Sequence, residues 1–256
     1  MEEILLEKFG FYYGKNEILK DITLNMKHGE VCAILGPNGA GKSSLIKGIA
    51  GIAGEVSGKV TINGMERAEI KREELASLLA YVPQENGYFG EFTVFDTVMD
   101  GRYRELKKIS RIENIQKVEA VLEEFDCIKI RDKKMEELSG GEKRRVLIAR
   151  AAVQESRYIL MDEPFSNLDI KHQAEVADII RKFKKSGKTT VIMVIHDINC
   201  ALNLSDYSVI IKDGVVFKSG ITEEVITSET IKSVYGVTAE KIVLKEYPKG
   251  YFLFKI

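Results

Sequence analysis

The sequence predicts an α/β fold with a mostly parallel central sheet and an inserted helical segment. Three apolar runs of strand length, residues 31–35, 157–161 and 189–195, each lead into glycine or polar residues. Between these runs the apolar residues recur with helical spacing, as they do in parallel α/β folds. Residues 87–152 have helical spacing and little strand signal. We therefore expect a helical subdomain inserted into an α/β core.

The N-terminal part of the chain is predicted to be rich in strands. Apolar and polar residues alternate over 18–26, which predicts a half-buried strand. A second strand is predicted over 58–65, closed by an Asn-Gly turn. A helix over 71–80 follows. Pro83 then interrupts regular structure, so Gln84 is expected on a loop.

The rest of the chain predicts the inserted helices and a return to the core. Helices are expected over 92–103, 112–125, 141–153, 171–185 and 222–236, a hairpin over 208–220, and a small terminal hairpin turning at 247–251. No long repeat or low-complexity linker divides the sequence. We therefore expect one domain over 1–256, with a core of about residues 1–86 and 153–256 and a helical subdomain of about 87–152.

Composition narrows the class of protein. The 256 residues carry a net charge of -1, with 45% hydrophobic and 30% charged residues, which is ordinary for a globular protein and gives no overall reason to expect nucleic acid. No apolar stretch has the length of a membrane span, and the N-terminus lacks a signal-peptide pattern. We therefore expect a cytoplasmic chain, and any membrane role must come through a partner. Cys32, Cys127 and Cys200 lie far apart, so reduced thiols are expected.

A phosphate-binding loop follows the first apolar run. The pattern G-x-x-x-x-G-K-[ST] is matched by Gly36, Pro37, Asn38, Gly39, Ala40, Gly41, Lys42 and Ser43, with Ser44 next. Glycines let backbone N–H groups approach phosphate oxygens, and a helix N-terminus adds donors and partial positive charge. Lys42 can reach the β- and γ-phosphates, and the Ser43 hydroxyl can bind Mg²⁺. The alternative is a glycine-rich turn, which the flanking strand and helix patterns disfavour.

An acidic pair follows the second apolar run. Asp162 is placed to organise Mg²⁺, and Glu163 to orient or deprotonate an attacking water. The alternative is a solvated strand end before the turn at Pro164. His196 follows the third run. Because parallel strands end at one edge of the sheet, one nucleotide could meet all three strand ends.

Residues 138–142 read Leu-Ser-Gly-Gly-Glu and open a predicted helix. Ser139 and Glu142 have the spacing of a capping box. Gly140 and Gly141 weaken a helix start by roughly 1 kcal/mol each relative to alanine, which suits bare backbone donors that bind a phosphate. The residues themselves leave helix cap and anion site equally open.

Together these motifs resemble the full ordered set of the ATP-binding cassette (ABC) ATPases. The resemblance covers nearly the whole chain, and the Leu-Ser-Gly-Gly-Glu signature is highly specific to that family. It implies a P-loop NTPase (RecA-like) core with an N-terminal antiparallel β subdomain, and ATP and Mg²⁺ as cofactors. It also implies that Ser139, Gly140, Gly141 and Glu142 contact the nucleotide of a second copy.

The resemblance assigns further roles. Gln84 matches the glutamine that contacts Mg²⁺ and the attacking water and senses the membrane partner. His196 matches the switch histidine at the γ-phosphate, and Asp169 ends the 166–169 loop that crosses between subunits. Tyr13 matches the aromatic residue that stacks on adenine, with Tyr12 as the alternative.

A finer resemblance is to cassettes that serve importers of iron-siderophores, haem and cobalamin. It is carried by Leu-Asp-Ile-Lys-His-Gln at 168–173, Gly-Arg-Tyr at 101–103 and Val-Tyr-Gly at 234–236. Phe165 and Arg144 depart from the commonest pattern, which has Thr and Gln at these positions. The resemblance implies a second copy of the chain, transmembrane permease subunits and, indirectly, a substrate-binding protein as partners, at the cytoplasmic face of the membrane. The alternative is a soluble cassette of iron–sulfur cluster assembly, against which the 168–173 stretch argues.

The boundary between core and helical subdomain, from Gln84 to about Tyr103, is the predicted docking surface for the permease. Gln84 is expected beside the nucleotide. The glycines and aromatic residues that follow suit a mobile, partly apolar contact, namely Gly87, Tyr88, Phe89, Gly90 and Phe92. The alternative is a flexible loop with its aromatic side chains in the core.

Overall fold

The computed structural model describes residues 3–84, 90–245 and 247–255. Its strands are β1 (Glu3–Tyr13), β2 (Asn16–Lys27), β3 (Val31–Leu35), β4 (Glu55–Ile62), β5 (Met65–Glu66), β6 (Leu79–Val82), β7 (Tyr158–Asp162), β8 (Thr190–Val194), β9 (Tyr207–Lys212), β10 (Val215–Ile221), β11 (Thr238–Leu244) and β12 (Tyr247–Lys255). Its α-helices are α1 (Lys42–Ala50), α2 (Arg72–Leu78), α3 (Val94–Asp100), α4 (Arg111–Glu124), α5 (Gly140–Val153), α6 (Ile170–Ser186), α7 (Ile198–Leu204), α8 (Thr222–Val225) and α9 (Ser228–Tyr235).

A six-stranded sheet forms the centre of the molecule, in the order β10-β9-β3-β8-β7-β6. Strands β9, β3, β8, β7 and β6 pair in parallel, and β10 is added antiparallel at one edge. The predicted strands β3, β8 and β7 are therefore direct neighbours. Their carboxyl ends meet at one edge, as the α/β prediction requires.

The central strands are buried on both faces, which explains why they read as continuous apolar runs. Cys32 and Ile34 of β3 face a core shared with α1 and the antiparallel sheet β2-β1-β4-β5. Val31 and Ala33 face the opposite core, which also takes side chains from α3 to α7. The fold class is thus confirmed, with an N-terminal antiparallel sheet and with α3, α4 and α5 inserted between β6 and β7.

Three local predictions were wrong. The single helix predicted over 222–236 is two helices, α8 and α9, which are separated at Ile226 and Thr227. The helix predicted over 71–80 ends at Leu78, and Leu79–Val82 form β6, the edge strand beside β7. Neither glycine nor proline separates helix from strand, so periodicity alone did not show the change. The terminal turn precedes Tyr247, because Tyr247 already pairs with Leu244; in this two-stranded sheet Pro248 is tolerated because an edge strand need not donate at every position.

The limits of the helical subdomain, about 87–152, stay a prediction, and residues 85–89 lie outside the described part of the chain. Among the described residues, no helix combines the length and apolar character needed to cross a bilayer.

Candidate active site

The phosphate loop connects β3 to α1 in a conformation that requires glycine. Gly41 is the N-cap of α1 with a φ of 97°, in the left-handed region that glycine adopts without strain. A Cβ on Gly41 would lie 2.5 Å from Cδ2 of Leu19, and one on Gly36 would lie 2.0 Å from the backbone O of Ile211. The loop is therefore held close to β2 and β9, with the N-terminus of α1 turned toward its concave side.

Lys42 lies inside this loop. Its Nζ donates to the backbone O of Gly36 at 2.9 Å and of Pro37 at 2.8 Å, and the residue is only 6% exposed. Burial lowers the pKa of the Lys42 ammonium, whereas Glu163 and Asp162 act in the opposite direction. The ammonium is thus a buried cation that two backbone carbonyls hold at the loop.

Ser43 and Asp162 meet at the base of the loop. The Ser43 hydroxyl donates to Oδ1 of Asp162 at 2.7 Å, and the Tyr81 hydroxyl donates to Oδ2 at 3.4 Å. Asp162 is 1% exposed. Burial, followed by the charge of Asp162, raises the pKa of Tyr81. A hydroxyl and a carboxylate at this distance are the hard oxygen ligands that Mg²⁺ prefers.

Glu163 carries one partner on each carboxylate oxygen. Gln84 Nε2 donates to Oε2 at 2.7 Å, and His196 Nε2 lies 2.7 Å from Oε1. Glu163 has a φ of 47°, an uncommon conformation for a residue with a Cβ. The ends of β6, β7 and β8 therefore bring Gln84, Glu163 and His196 into one hydrogen-bonded group.

These residues converge on one cavity of about 480 Å³, and nine of the predicted site residues line it. The lining residues are Ile18, Asn38, Gly39, Gly41, Lys42, Ser43, Ser44, Gln84, Glu163 and His196. Gly36 and Pro37 stand behind Lys42 as its hydrogen-bond acceptors, Ala40 is buried in the loop, and Asp162 lies behind Ser43.

Ile18 is a lining residue that sequence reasoning missed. It precedes Leu19, the buried side chain against Gly41, and that adjacency to the loop cannot be read from the sequence. Tyr13 is not among the lining residues; it is 45% exposed and lies edge-on to Phe11, with ring centroids 5.0 Å apart. Tyr12 donates its hydroxyl to Glu17 instead.

The signature residues lie away from this cavity. Ser139 is the N-cap of α5 in a capping box, in which Glu142 Oε2 accepts from the backbone N and the hydroxyl of Ser139, both at 2.8 Å. These bonds, the backbone one first, hold the pKa of Glu142 below its usual value. The structure thus shows the helix cap, and Ser139 and Gly140 stay exposed at the helix N-terminus.

A second helix N-cap, at the start of α6, lies next to the signature. Asp169 caps α6, accepting from the backbone N of His172 at 2.9 Å, and it also lies 2.7 Å from Nδ1 of His172. The backbone bond is the main reason that the pKa of Asp169 is lowered. A Cβ on Gly141 would lie 2.1 Å from the His172 ring. His172, which sequence reasoning gave no separate role, therefore fixes the contact between α6 and the signature glycine.

A parallel α/β sheet with a glycine-rich phosphate loop, a buried lysine and an acidic strand end defines a nucleotide-binding ATPase. The comparisons agree. The sequence profile of the ABC transporter family matches residues 19–166, more than half of the chain. A relative described as an uncharacterised ABC transporter ATP-binding protein, from Methanocaldococcus jannaschii, is 42% identical over 231 residues, covering 90% of this chain and 89% of its own.

Two further comparisons agree, one in sequence and one in fold. The iron(3+)-hydroxamate import ATP-binding protein of Bacillus subtilis is 32% identical over 242 residues, covering 94% of this chain and 90% of its own. A solved ABC transporter, assigned to the metal-chelate type and in an inward-facing conformation, superposes with a TM-score of 0.82, 24% identity and coverage of 100% and 98%. The chain belongs to the ABC transporter family. It is an ATP-binding subunit and an ATPase.

Proposed function

We propose that the chain hydrolyses ATP with Mg²⁺ at sites composed of two copies, and that hydrolysis drives import of an iron-siderophore, haem or cobalamin through a membrane permease. The observation that carries the proposal is the cavity in which Lys42, Ser43, Gln84, Glu163 and His196 meet. It combines a phosphate-binding cation, hard oxygen ligands and a hydrogen-bonded carboxylate. A phosphoryl-transfer site needs these three parts.

Glu163 is the proposed base for the attacking water. Each of its oxygens has one hydrogen-bond partner, Gln84 or His196, and a carboxylate oxygen can accept a second bond, so a water can donate to Glu163 beside them. The Glu163 side chain is only 17% exposed, whereas that of His196 is 45% exposed. We expect the more exposed His196 to contact the γ-phosphate beside the base.

Mg²⁺ fits the residues that are present. Within the described part of the chain no cluster of three or more His, Cys, Asp or Glu side chains is placed to hold a metal. Ser43 and Asp162, with Gln84 nearby, offer few protein ligands, as suits an ion that keeps its waters and binds phosphate oxygens. When bound, Mg²⁺ supplies positive charge to the β- and γ-phosphates. The role of Asp162 is to orient the Ser43 hydroxyl, which it does here at 2.7 Å.

The signature is proposed to act on the cavity of a second copy. Ser139 and Gly140 are exposed, outside their own chain's cavity, at a helix N-terminus where anions are stabilised. In a two-fold dimer each chain would contribute its α5 N-terminus to the partner's phosphate loop. Tyr13 is the proposed adenine contact, and Asp169 the proposed contact of the crossing loop.

The permease is proposed to dock at the surface between core and helical subdomain, at the cytoplasmic face of the membrane. Phe92, Tyr103 and Leu106 are 61%, 69% and 45% exposed and line a cavity of about 480 Å³. A cavity of about 660 Å³ shares Tyr103 with it and continues to Pro83, next to Gln84. The predicted residues Gly87, Tyr88 and Phe89 lie outside the described part of the chain.

Substrate class is proposed from the 168–173 stretch and from the iron(3+)-hydroxamate import relative. Transport assays with a ferric hydroxamate, haem and cobalamin, each with the cognate permease and binding protein, would separate the three. Failure of all three would overturn the substrate class. It would leave the ATPase site untouched.

The docking surface is tested in reconstituted vesicles with Phe92→Asp and Tyr103→Asp. Both should keep the basal ATPase of the isolated chain and lose most permease binding and uptake, because each places a charge on an apolar contact surface. The control is Ile112→Asp, which changes an apolar side chain that is 70% exposed and outside both cavities. Wild-type uptake by both test variants would show that the permease binds elsewhere.

A further inference from the structure

Arg144 is a buried cation that does not line the nucleotide cavity. It lies on α5, two residues after the signature, and is 3% exposed. Its guanidinium donates from one nitrogen to the backbone O of Pro83 and from the other to that of Gln84, both at 2.7 Å. Two short charge-assisted bonds to consecutive carbonyls are a strong and geometrically specific link.

The negative charges that act on the Arg144 guanidinium belong to residues of the candidate active site. Burial lowers the pKa of Arg144, and the carboxylates of Asp162 and Glu163 oppose that shift. A cation taken out of water needs hydrogen bonds and a nearby opposite charge. For Arg144 the bonds come from the backbone of Pro83 and Gln84, and the opposite charge comes from Asp162 and Glu163.

Arg145, the next residue on the same helix, is also buried, and its contacts can be compared with those of Arg144. Arg145 is 9% exposed and pairs with Glu175 of α6 at 2.9 Å. That pair joins two helices and does not reach the loop. Of these adjacent arginines, only Arg144 binds the backbone that carries Gln84.

Gln84 connects Arg144 to the proposed base, Glu163. Its backbone O is held by Arg144, and its side-chain Nε2 is held by Glu163 Oε2 at 2.7 Å. Fixing the backbone limits the positions that the side-chain amide can take. A displacement of α5, and with it of Ser139, would therefore be passed to Gln84 and on to Glu163.

We propose that Arg144 is a positioning residue for hydrolysis: through Pro83 and Gln84 it holds the Gln84 amide on Glu163 and joins the signature helix to the base of the same chain. The proposal rests on the proposed function, in which Glu163 is the base. Arginine suits the task because its fork reaches two carbonyls at once. Lysine keeps the charge but lacks the fork, and glutamine, shorter and neutral, keeps only a single amide donor group.

The test measures kcat and KM for Mg²⁺–ATP hydrolysis by the full chain carrying Arg144→Lys or Arg144→Gln, with rates corrected for the folded fraction at the assay temperature. We expect kcat to fall about 10-fold in both variants, the loss of a charge-assisted bond, with KM within about twofold because Lys42 and the loop are unchanged. Arg145→Lys is the matched control. It should change the melting temperature and leave kcat near that of the wild type.

A double-mutant cycle decides whether Arg144 acts through Gln84. In a Gln84→Ala background, Arg144→Lys should lower kcat by less than about twofold, because the side chain that it positions is gone. An equal loss in both backgrounds would overturn the proposal. So would wild-type kcat in both single variants, or a fall that follows the folded fraction alone. Glu163→Gln measured beside them separates the two levels: if it hydrolyses ATP normally, the proposed function fails, whereas its inactivity beside normal Arg144 variants leaves the function standing and removes this inference.

Discussion

The end of the phosphate loop and the N-terminus of α5 are both candidate phosphate sites, yet their contacts within the chain differ. At the loop, side chains from separate parts of the sequence contact one another, as in the Ser43–Asp162 and Gln84–Glu163 bonds. At the N-terminus of α5 the hydrogen bonds of Ser139 are local, within the capping box with Glu142, although Gly141 also packs against His172 of α6. The first region holds the proposed catalytic groups together within one chain. The second offers an exposed helix end with its cap complete, which suits a surface that acts on another molecule.

The largest fall in turnover is expected from a change at the proposed base, Glu163. Glu163→Gln keeps the shape of the side chain and removes its basicity, so turnover should fall by about 10²–10⁴-fold while ATP still binds. A nucleotide-bound dimer should accumulate, seen by light scattering after gel filtration with ATP. Glu240→Gln on the terminal hairpin is the control. Turnover within about twofold of wild type would remove Glu163 from the reaction.

The loop lysine comes next. Lys42→Ala removes the buried cation held by Gly36 and Pro37, and ATP binding should weaken by roughly 1.5–3 kcal/mol. Titration calorimetry measures this, with Lys47→Ala, in the last turn of the same helix, as control. Unchanged affinity would mean that the nucleotide binds elsewhere.

Much of the loop region could be predicted from the sequence, because it depends on strand ends. Apolar runs gave β3, β7 and β8, and parallel strands bring their ends together, so Lys42, Asp162 and His196 were placed correctly relative to one another. The contacts of Ile18 and Arg144 were not predicted. They arise where chain segments far apart in sequence pack together, as between Arg144 and Pro83. No local period records such a contact.

The signature region is tested by pairing two defective chains. Ser139→Arg places a bulky cation at the exposed N-terminus of α5, where helix charge is unfavourable to it, and should remove turnover while leaving ATP binding to the chain's own loop intact. In a dimer with Lys42→Ala, one of the two composite sites has an intact loop and an intact signature. Mixing equal amounts should therefore recover up to about a quarter of wild-type turnover, from random pairing of the chains. No recovery, with mixed dimers demonstrated, would show that the sites are not shared between copies.

A smaller effect separates the two signature glycines. A Cβ on Gly141 would overlap the His172 ring at 2.1 Å, whereas the nearest atom to one on Gly140 is the backbone O of Asn167 at 4.0 Å. Gly141→Ala should therefore destabilise the chain by about 1–3 kcal/mol, as overpacking does. Gly140→Ala should be neutral or slightly stabilising, since alanine is the better helix former. Urea unfolding of both variants measures the difference, and equal stability would mean that His172 moves aside without cost.

The smallest effect concerns the cap itself and its dependence on pH. Because hydrogen bonds from Ser139 lower the pKa of Glu142 in the folded chain, its carboxylate stabilises the fold above the unfolded pKa of about 4.3, and that contribution is lost as pH falls through the folded pKa. Glu142→Gln keeps an oxygen that can accept from Ser139 but does not titrate. The wild type should thus be more stable at pH 7 by about 0.3–1 kcal/mol, the range for a carboxylate at an exposed helix N-terminus, and the difference should shrink as the pH falls below the unfolded pKa. Urea unfolding of both proteins across this range, with Glu240→Gln beside them, isolates the contribution of Glu142 from the other carboxylates. A difference that stays constant with pH would mean that the bonds to Ser139 do not depend on the charge of Glu142, and that the cap contributes through its shape alone.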